Sequence, residues 1–125
     1  MSLAFVGGAT RPSSRVESLA LEASRPLGIL REIRNGKELV LAVKQTFGRK
    51  SHCTVRLSDR WVAPWHAELR WDGEAWIIRD FASTNGTFVD GARLSAGQPH
   101  ALQQGNAIGF GRASPDFELV DGSGP

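Results

Sequence analysis

Tyrosine is absent from this chain, cysteine occurs once, at Cys53, and lysine occurs only as Lys37, Lys44 and Lys50. A single cysteine excludes an internal disulfide, so the fold must hold by packing, and a reducing, cytoplasmic compartment is the expectation. No apolar run reaches the roughly 18 residues that a membrane-spanning helix needs. The first 30 residues carry Arg11, Arg15, Glu17, Glu22 and Arg25 without a clean apolar stretch, which is not the pattern of a secretory leader. Charge of one sign is also scarce. Fifteen Lys and Arg stand against 13 Asp and Glu, a net +2, and no three basic residues are consecutive. A nucleic-acid binder gathers its charge into a stripe, so single-stranded nucleic acid read by tryptophan stacking is kept only as a remote alternative. Helical periodicity is missing after residue 26.

What is present is regular punctuation. Asn35-Gly36, Asp72-Gly73, Asn85-Gly86 and Asp90-Gly91 are turn dipeptides that supply the positive backbone angles of tight hairpins. Between them lie short runs rich in Val, Ile, Phe, Trp and Leu. The pattern predicts strands over 27–33, 38–43, 54–57, 66–71, 75–80, 87–90, 107–110 and 116–120. Such spacing indicates an antiparallel sandwich or barrel. In 66–71, Ala67, Leu69 and Trp71 share one face while Glu68 and Arg70 take the other. Trp76 and Phe110 also read as core. Residues 1–25 are read as a partly flexible arm, with a capping-box pattern at Ser14–Glu17 that opens either a helix or a strand. Residues 26–120 form the domain, and 121–125 a loose tail.

Catalytic and metal chemistry find no support. His52-Cys53 with His66 or Asp59 is the one candidate metal cluster, and it lacks the paired spacing of a zinc site. Cys53 has no adjacent base, and there is no Gly-rich phosphate loop, carboxylate pair or Ser–His–Asp set. The expectation is a non-enzyme without cofactor.

Five strings belong together: Phe47-Gly48-Arg49, which closes a strand; Trp65-His66-Ala67-Glu68-Leu69; Trp76-Ile77-Ile78-Arg79-Asp80; Ser83-Thr84-Asn85-Gly86-Thr87-Phe88-Val89-Asp90-Gly91; and Gly105-Asn106-Ala107-Ile108-Gly109-Phe110-Gly111. Each alone is weak. In this order and at these spacings the chain resembles the forkhead-associated (FHA) domain over roughly residues 26–120. The resemblance implies an all-β sandwich of about eleven mostly antiparallel strands in two sheets, whose end loops bind phosphothreonine peptides. By the same resemblance Arg49 contacts phosphate, Thr84 and Asn85 line the pocket, and Asn85 holds the peptide backbone. Gly48, His66, Ser83 and Gly86 support the loops.

Such roles suit the chemistry. Phosphothreonine brings about −1.5 to −2 charge and three strong acceptor oxygens. Arginine meets two oxygens at once, a hydroxyl can meet a third, and an asparagine amide offers both an acceptor and donors to an extended backbone.

The loop before His66 departs from the family. Where a typical member places a phosphate-binding serine three residues before the histidine, this chain has Ala63, and the next residue is Pro64, which has no N–H to donate. One charge-assisted hydrogen bond contributes about 1.5–3 kcal/mol, so its loss weakens binding roughly ten- to a hundredfold. Lys50 and Arg60 are near enough in sequence to compensate. The same loop carries Trp61 and Trp65, and with Pro64 they offer a surface for phosphate-independent docking of an unphosphorylated protein. One of the two tryptophans is expected to cover the end of the core. The partner is therefore read as a phosphothreonine protein or peptide, with no nucleic acid and no membrane. Weak self-association is a further expectation, through an arm phosphorylated at Thr10, Ser13, Ser14, Ser18 or Ser24 that binds the loops of a neighbouring copy.

Overall fold

The computed structural model describes residues 28–125. The arm, its capping box and its serines and threonine lie outside the described residues. Eleven strands follow: β1 (Ile29–Glu32), β2 (Glu38–Val40), β3 (Lys44–Gly48), β4 (Val55–Arg56), β5 (Ala67–Trp71), β6 (Trp76–Asp80), β7 (Thr87–Val89), β8 (Ala92–Arg93), β9 (His100–Leu102), β10 (Ala107–Phe110) and β11 (Phe117–Asp121). They form a six-stranded sheet, β2-β1-β11-β10-β7-β8, and a five-stranded sheet, β4-β3-β5-β6-β9. Every pairing is antiparallel except β3 with β4. The described residues contain no helix, and so none long and apolar enough to cross a membrane.

Each of the eight predicted runs coincides with one strand, β11 running one residue past its predicted end to Asp121. The strand closed by Phe47 and Gly48 proves separate from the run at 38–43. Gln45 makes the corner between them. Its buried side chain accepts from the Ala42 N–H (2.8 Å) and donates to the Ala42 and Leu69 carbonyls (3.1 and 2.8 Å). A buried amide with three partners satisfies the backbone where the chain changes sheets. β8 and β9 are two and three residues long, mostly exposed, and carry no apolar alternation.

The inward faces obey the period of two. Ala67 and Leu69 are fully buried, and Trp71 packs against the cluster with its ring 5.4 Å from Trp76. Glu68, on the outer face, is nonetheless only 5% exposed, because Lys44, Arg70 and Arg79 converge on it at 3.4–3.8 Å. Their charges offset the burial of the carboxylate. The core ends in three aromatics. Phe47 stacks on Phe110 at 4.7 Å, and Phe117 meets both edge-on at 6.0 Å. That trio joins the two sheets directly beneath the loops that follow β3, β4 and β6.

The tail does not leave the fold at Asp121. Asp121 belongs to β11, the Trp76 indole N–H donates to the Ser123 carbonyl at 3.0 Å, and Gly124 lies so close to Trp71 that a Cβ there would collide with the ring. The buried indole needs an acceptor, and the tail provides it.

Candidate functional site

β3 carries Gly48 and Arg49 to the sandwich end. The carbonyls of Ala63 and Pro64 accept from the N–H groups of Arg49 and Lys50 at 3.1 and 3.2 Å, and the His66 N–H donates to the Phe47 carbonyl. The loop 57–66 is thereby zipped onto the end of β3. This closeness explains Gly48: a Cβ there would stand 2.2 Å from the Pro64 oxygen and 2.8 Å from the Cys53 sulfur. Cys53 is a buried free thiol, and its Sγ–H donates to that same carbonyl at 3.3 Å.

His66 is fully buried, its ring edge-on to Phe110 at 5.6 Å. Its Nδ1 accepts from the Ala63 N–H at 2.9 Å, so Nε2 carries the proton and donates to the Gly86 carbonyl at 2.8 Å. One neutral imidazole therefore ties the loop 57–66 to the turn 83–86. Burial holds its pKa below the usual 6.5, against the pull of Gly86, Asp80 and Asp116.

A second buried knot shapes the turn. Asp80, at an inward position of β6, accepts from the Ser83 and Thr87 hydroxyls at 2.5 and 2.7 Å and from the Ser83 N–H at 3.0 Å. Ser83 Oγ in turn accepts from the Gly86 N–H at 3.0 Å. Satisfied in this way, Ser83 leaves Thr84 and Asn85 at the exposed tip. Ala82 enters the turn with φ of 58° and Gly86 leaves it at 88°, so the tip stands on left-handed backbone at both ends.

At the tip, Arg49, Thr84 and Asn85 are exposed. Arg49 Nε–H donates to the Val62 carbonyl at 2.5 Å, and Asn85 Nδ2 donates to the neighbouring Trp61 carbonyl at 3.0 Å. These adjacent carbonyls bring the arginine and the asparagine onto one rim. Asn85 thus has one donor committed, while its carbonyl oxygen is unbonded among the described residues. Arg49 has no carboxylate within 4.0 Å among the described residues. Thr84 keeps its hydroxyl free of protein partners there.

Lys50 is exposed beside Arg49. Arg60 is exposed too, its guanidinium 4.7 Å above the Trp61 ring. Ala63 is half-buried, and Pro64 is exposed. Trp61 and Trp65 are both exposed, at 39% and 44%, against the expectation that one would cover the core. Val62 between them does that instead, at 3% exposure. Val62 closes a turn, its N–H donating to the Asp59 carbonyl at 3.0 Å, and it fills the core while Trp61 stays at the surface. The Trp65 ring rests on His52 at 4.5 Å.

Two cations escaped the sequence reading. Arg93 Nη2 donates to the Thr84 carbonyl at 3.1 Å and lies so close over Gly86 that a Cβ there would fall 2.5 Å from Nε. Arg56 Nε donates to the Arg49 carbonyl at 3.0 Å. A cavity of about 370 Å³, lined by Arg56, Leu57, Val62, Phe110, Asp116 and Phe117 among others, opens behind the loop; Arg49, Thr84 and Asn85 do not line it.

Residues 45–111 match the family described as FHA domain. The chain belongs to this family. FHA domains are recognition modules. The chain is 31% identical over 96 residues to the FHA domain-containing protein FhaA of Mycobacterium tuberculosis, covering 77% of this chain and 16% of that protein. It is 31% identical over 74 residues to FhaB of the same species, covering 58% of this chain and 48% of that one. The chain thus spans less than half of either relative. A solved FHA domain from a study of phosphothreonine-dependent FHA interactions superposes with a TM-score of 0.63 at 30% identity, over 79% of this chain and 98% of that one. The FhaA FHA domain, crystallised with the intracellular domain of another protein, gives 0.60 at 30% identity, over 74% and 97%. EmbR of Mycobacterium tuberculosis in complex with a low-affinity phosphopeptide gives 0.70 at 22% identity, over 90% and 30%, a likeness of fold.

Proposed function

We propose that this FHA domain binds phosphothreonine-containing peptides or proteins through the rim formed by Arg49, Thr84 and Asn85, with a phosphate pocket weakened at Ala63 and Pro64. The observation that carries the reading is Arg49: an exposed guanidinium that has no carboxylate partner among the described residues, its Nε anchored on Val62, beside a threonine hydroxyl and an asparagine carbonyl that are unbonded among those residues. The anchored Nε leaves both Nη groups for phosphate oxygens, and the anchoring lowers the entropy lost on binding. Lys50 and Arg60 add positive charge at the rim. Gly48, His66, Ser83 and Gly86 act by holding the two loops together. The buried free thiol of Cys53 suits a reducing compartment such as the cytoplasm.

The exposure of Trp61 and Trp65, with Pro64 between them, favours a second reading: docking of a partner protein without phosphate. Capture of a partner equally well after phosphatase treatment supports it. Loss of capture on Arg49→Ala, with Trp61→Ala and Trp65→Ala unaffected, removes it.

The deciding experiment is a tryptophan-fluorescence titration with a degenerate phosphothreonine peptide pool beside its unphosphorylated twin. Binding of the phosphorylated pool alone, abolished by Arg49→Ala, is the expected result. Equal or absent binding of both pools would overturn the phosphate reading.

A further inference from the structure

The described residues contain twelve lysines and arginines, and their charges are partitioned by position. Arg31, Arg34, Lys44, Arg70, Arg79 and Arg112 each have a carboxylate within 4.0 Å. Of the six without one among the described residues, only Lys37 lies away from the candidate rim, in the turn between β1 and β2. Arg49, Lys50, Arg56, Arg60 and Arg93 all gather at the loops around it. One phosphate does not need five cations. Clustered like charges repel when no anion is present, and the repulsion is relieved by a ligand of high negative charge.

Arg93 is the one whose placement suggests a separate role. It comes from β8, beyond the Asp90-Gly91 hairpin, and is held by hydrogen bonding to the Thr84 carbonyl and by its stem over Gly86. It is linked to Arg49 through the contact series Val62, Trp61, Asn85 and Thr84, so the two guanidiniums sit on successive segments of a single rim. Only one of the five N–H donors of Arg93 is engaged among the described residues, and the side chain is exposed.

We propose that Arg93 forms a second anion site beside the phosphothreonine site, so that the preferred ligand is a peptide with two anionic groups: a phosphothreonine and a nearby second phosphate or carboxylate. This rests on the phosphothreonine reading above. An extended peptide advances about 3.3–3.6 Å per residue, so a second anion a few residues from the phosphothreonine reaches along the rim.

The test uses the whole chain and four synthetic peptide sets: unphosphorylated; phosphothreonine with neutral flanks; the same with one glutamate walked through each flanking position; and the same with a phosphoserine walked likewise. Titrations are run on the parent, Arg93→Gln and Arg93→Lys at low and high salt. At one position the second anion is expected to tighten binding about three- to tenfold at low salt, less at high salt. Arg93→Gln should erase that increment, weakening the two-anion peptide more than the neutral-flank phosphopeptide, and Arg93→Lys should keep part of it. The glutamate and phosphoserine arms then tell which anion is read.

Absence of any increment, or an increment that persists in Arg93→Gln, overturns the second site and leaves the phosphothreonine reading standing. Equal weakening of all phosphopeptides by Arg93→Gln also overturns it, because Arg93 would then merely position Thr84. A neutral-flank phosphopeptide that binds no better than its unphosphorylated form overturns both.

Discussion

The His66 imidazole donates to the Gly86 carbonyl at 2.8 Å while accepting from Ala63 on the other side. The two loops that carry the candidate site are thus held by a single neutral ring. Replacing it with alanine removes both bonds, strands the Ala63 N–H and leaves a cavity beside Phe110. Truncation of a large buried side chain with loss of its hydrogen bonds is expected to cost about 3–5 kcal/mol, read by chemical denaturation.

The same ring sets a dependence on pH. Burial lowers the pKa of His66 from 6.5, so the native state prefers the neutral form. Its contribution is complete above about pH 6.5 and is lost as pH falls towards the depressed native value. A protonated ring cannot accept from Ala63, so the loop 57–66 loosens in the same window. Stability measured from pH 8 to pH 5 should fall on the acid side, and His66→Gln should lack that component. An unchanged acid limb in the variant would exclude His66 as its source.

Asp116 has the opposite sign. Burial raises its pKa above 3.8, although its Oδ2 accepts from the Phe110 N–H at 2.9 Å and Arg112 lies near. The native state therefore favours the protonated carboxyl, whose stabilisation is complete below pH 3.8 and is lost as pH rises through the native pKa. Asp116→Asn keeps an acceptor for Phe110 without the half-buried charge. It is expected to raise stability at pH 7, with the difference shrinking as pH approaches 3.8. A variant less stable than the parent at pH 7 would show that attraction from Arg112 outweighs burial.

Gly48 faces backbone, which cannot step aside as a flexible side chain can. A Cβ there meets the Pro64 oxygen at 2.2 Å. Gly48→Ala must therefore unzip the loop 57–66 from β3. The expected loss is about 3 kcal/mol, at the upper end of overpacking effects, with weaker ligand binding alongside. Cys53→Ala in the same chain should relieve only the smaller sulfur contact, so little stability should return.

Much of this was legible along the chain, because local rules decide it. Asn35-Gly36, Asp72-Gly73, Asn85-Gly86 and Asp90-Gly91 all turn with a glycine at positive φ, and the alternation of Ala67, Leu69 and Trp71 gives the buried face of β5. Where side chains answer to distant neighbours, local rules no longer decide. Ala82 sits at positive φ without any residue type to announce it, since the Asp80–Ser83–Thr87 knot imposes the turn. Asp80 did leave a trace, as a carboxylate in register with Trp76 and Ile78 on an inward face. Arg93 left one too. Asp90 and Gly91 both have positive φ, the two-residue hairpin that pairs Val89 with Ala92 and Phe88 with Arg93, and so carries Arg93 back to the Thr84 turn. The exposure of both Trp61 and Trp65 had no such trace, because it is Val62 that fills the core beneath the loop.

Ala63 offers the most direct test of the weakened pocket. Its N–H is fixed on His66 and its carbonyl receives the Arg49 N–H, so the backbone that would present a serine hydroxyl is already built. Its side chain is half-buried and needs only an oxygen added to the methyl. Ala63→Ser should therefore keep the fold and supply one donor to a bound phosphate. A charge-assisted hydrogen bond at the solvent edge corresponds to about tenfold tighter binding. That increase should appear for a phosphothreonine peptide and not for its unphosphorylated twin. Paired with Arg49→Ala, the serine should add little, because the phosphate it meets is no longer held. An Ala63→Ser chain that binds the phosphopeptide no better than the parent, with stability unchanged, would mean that phosphate does not sit between Arg49 and residue 63.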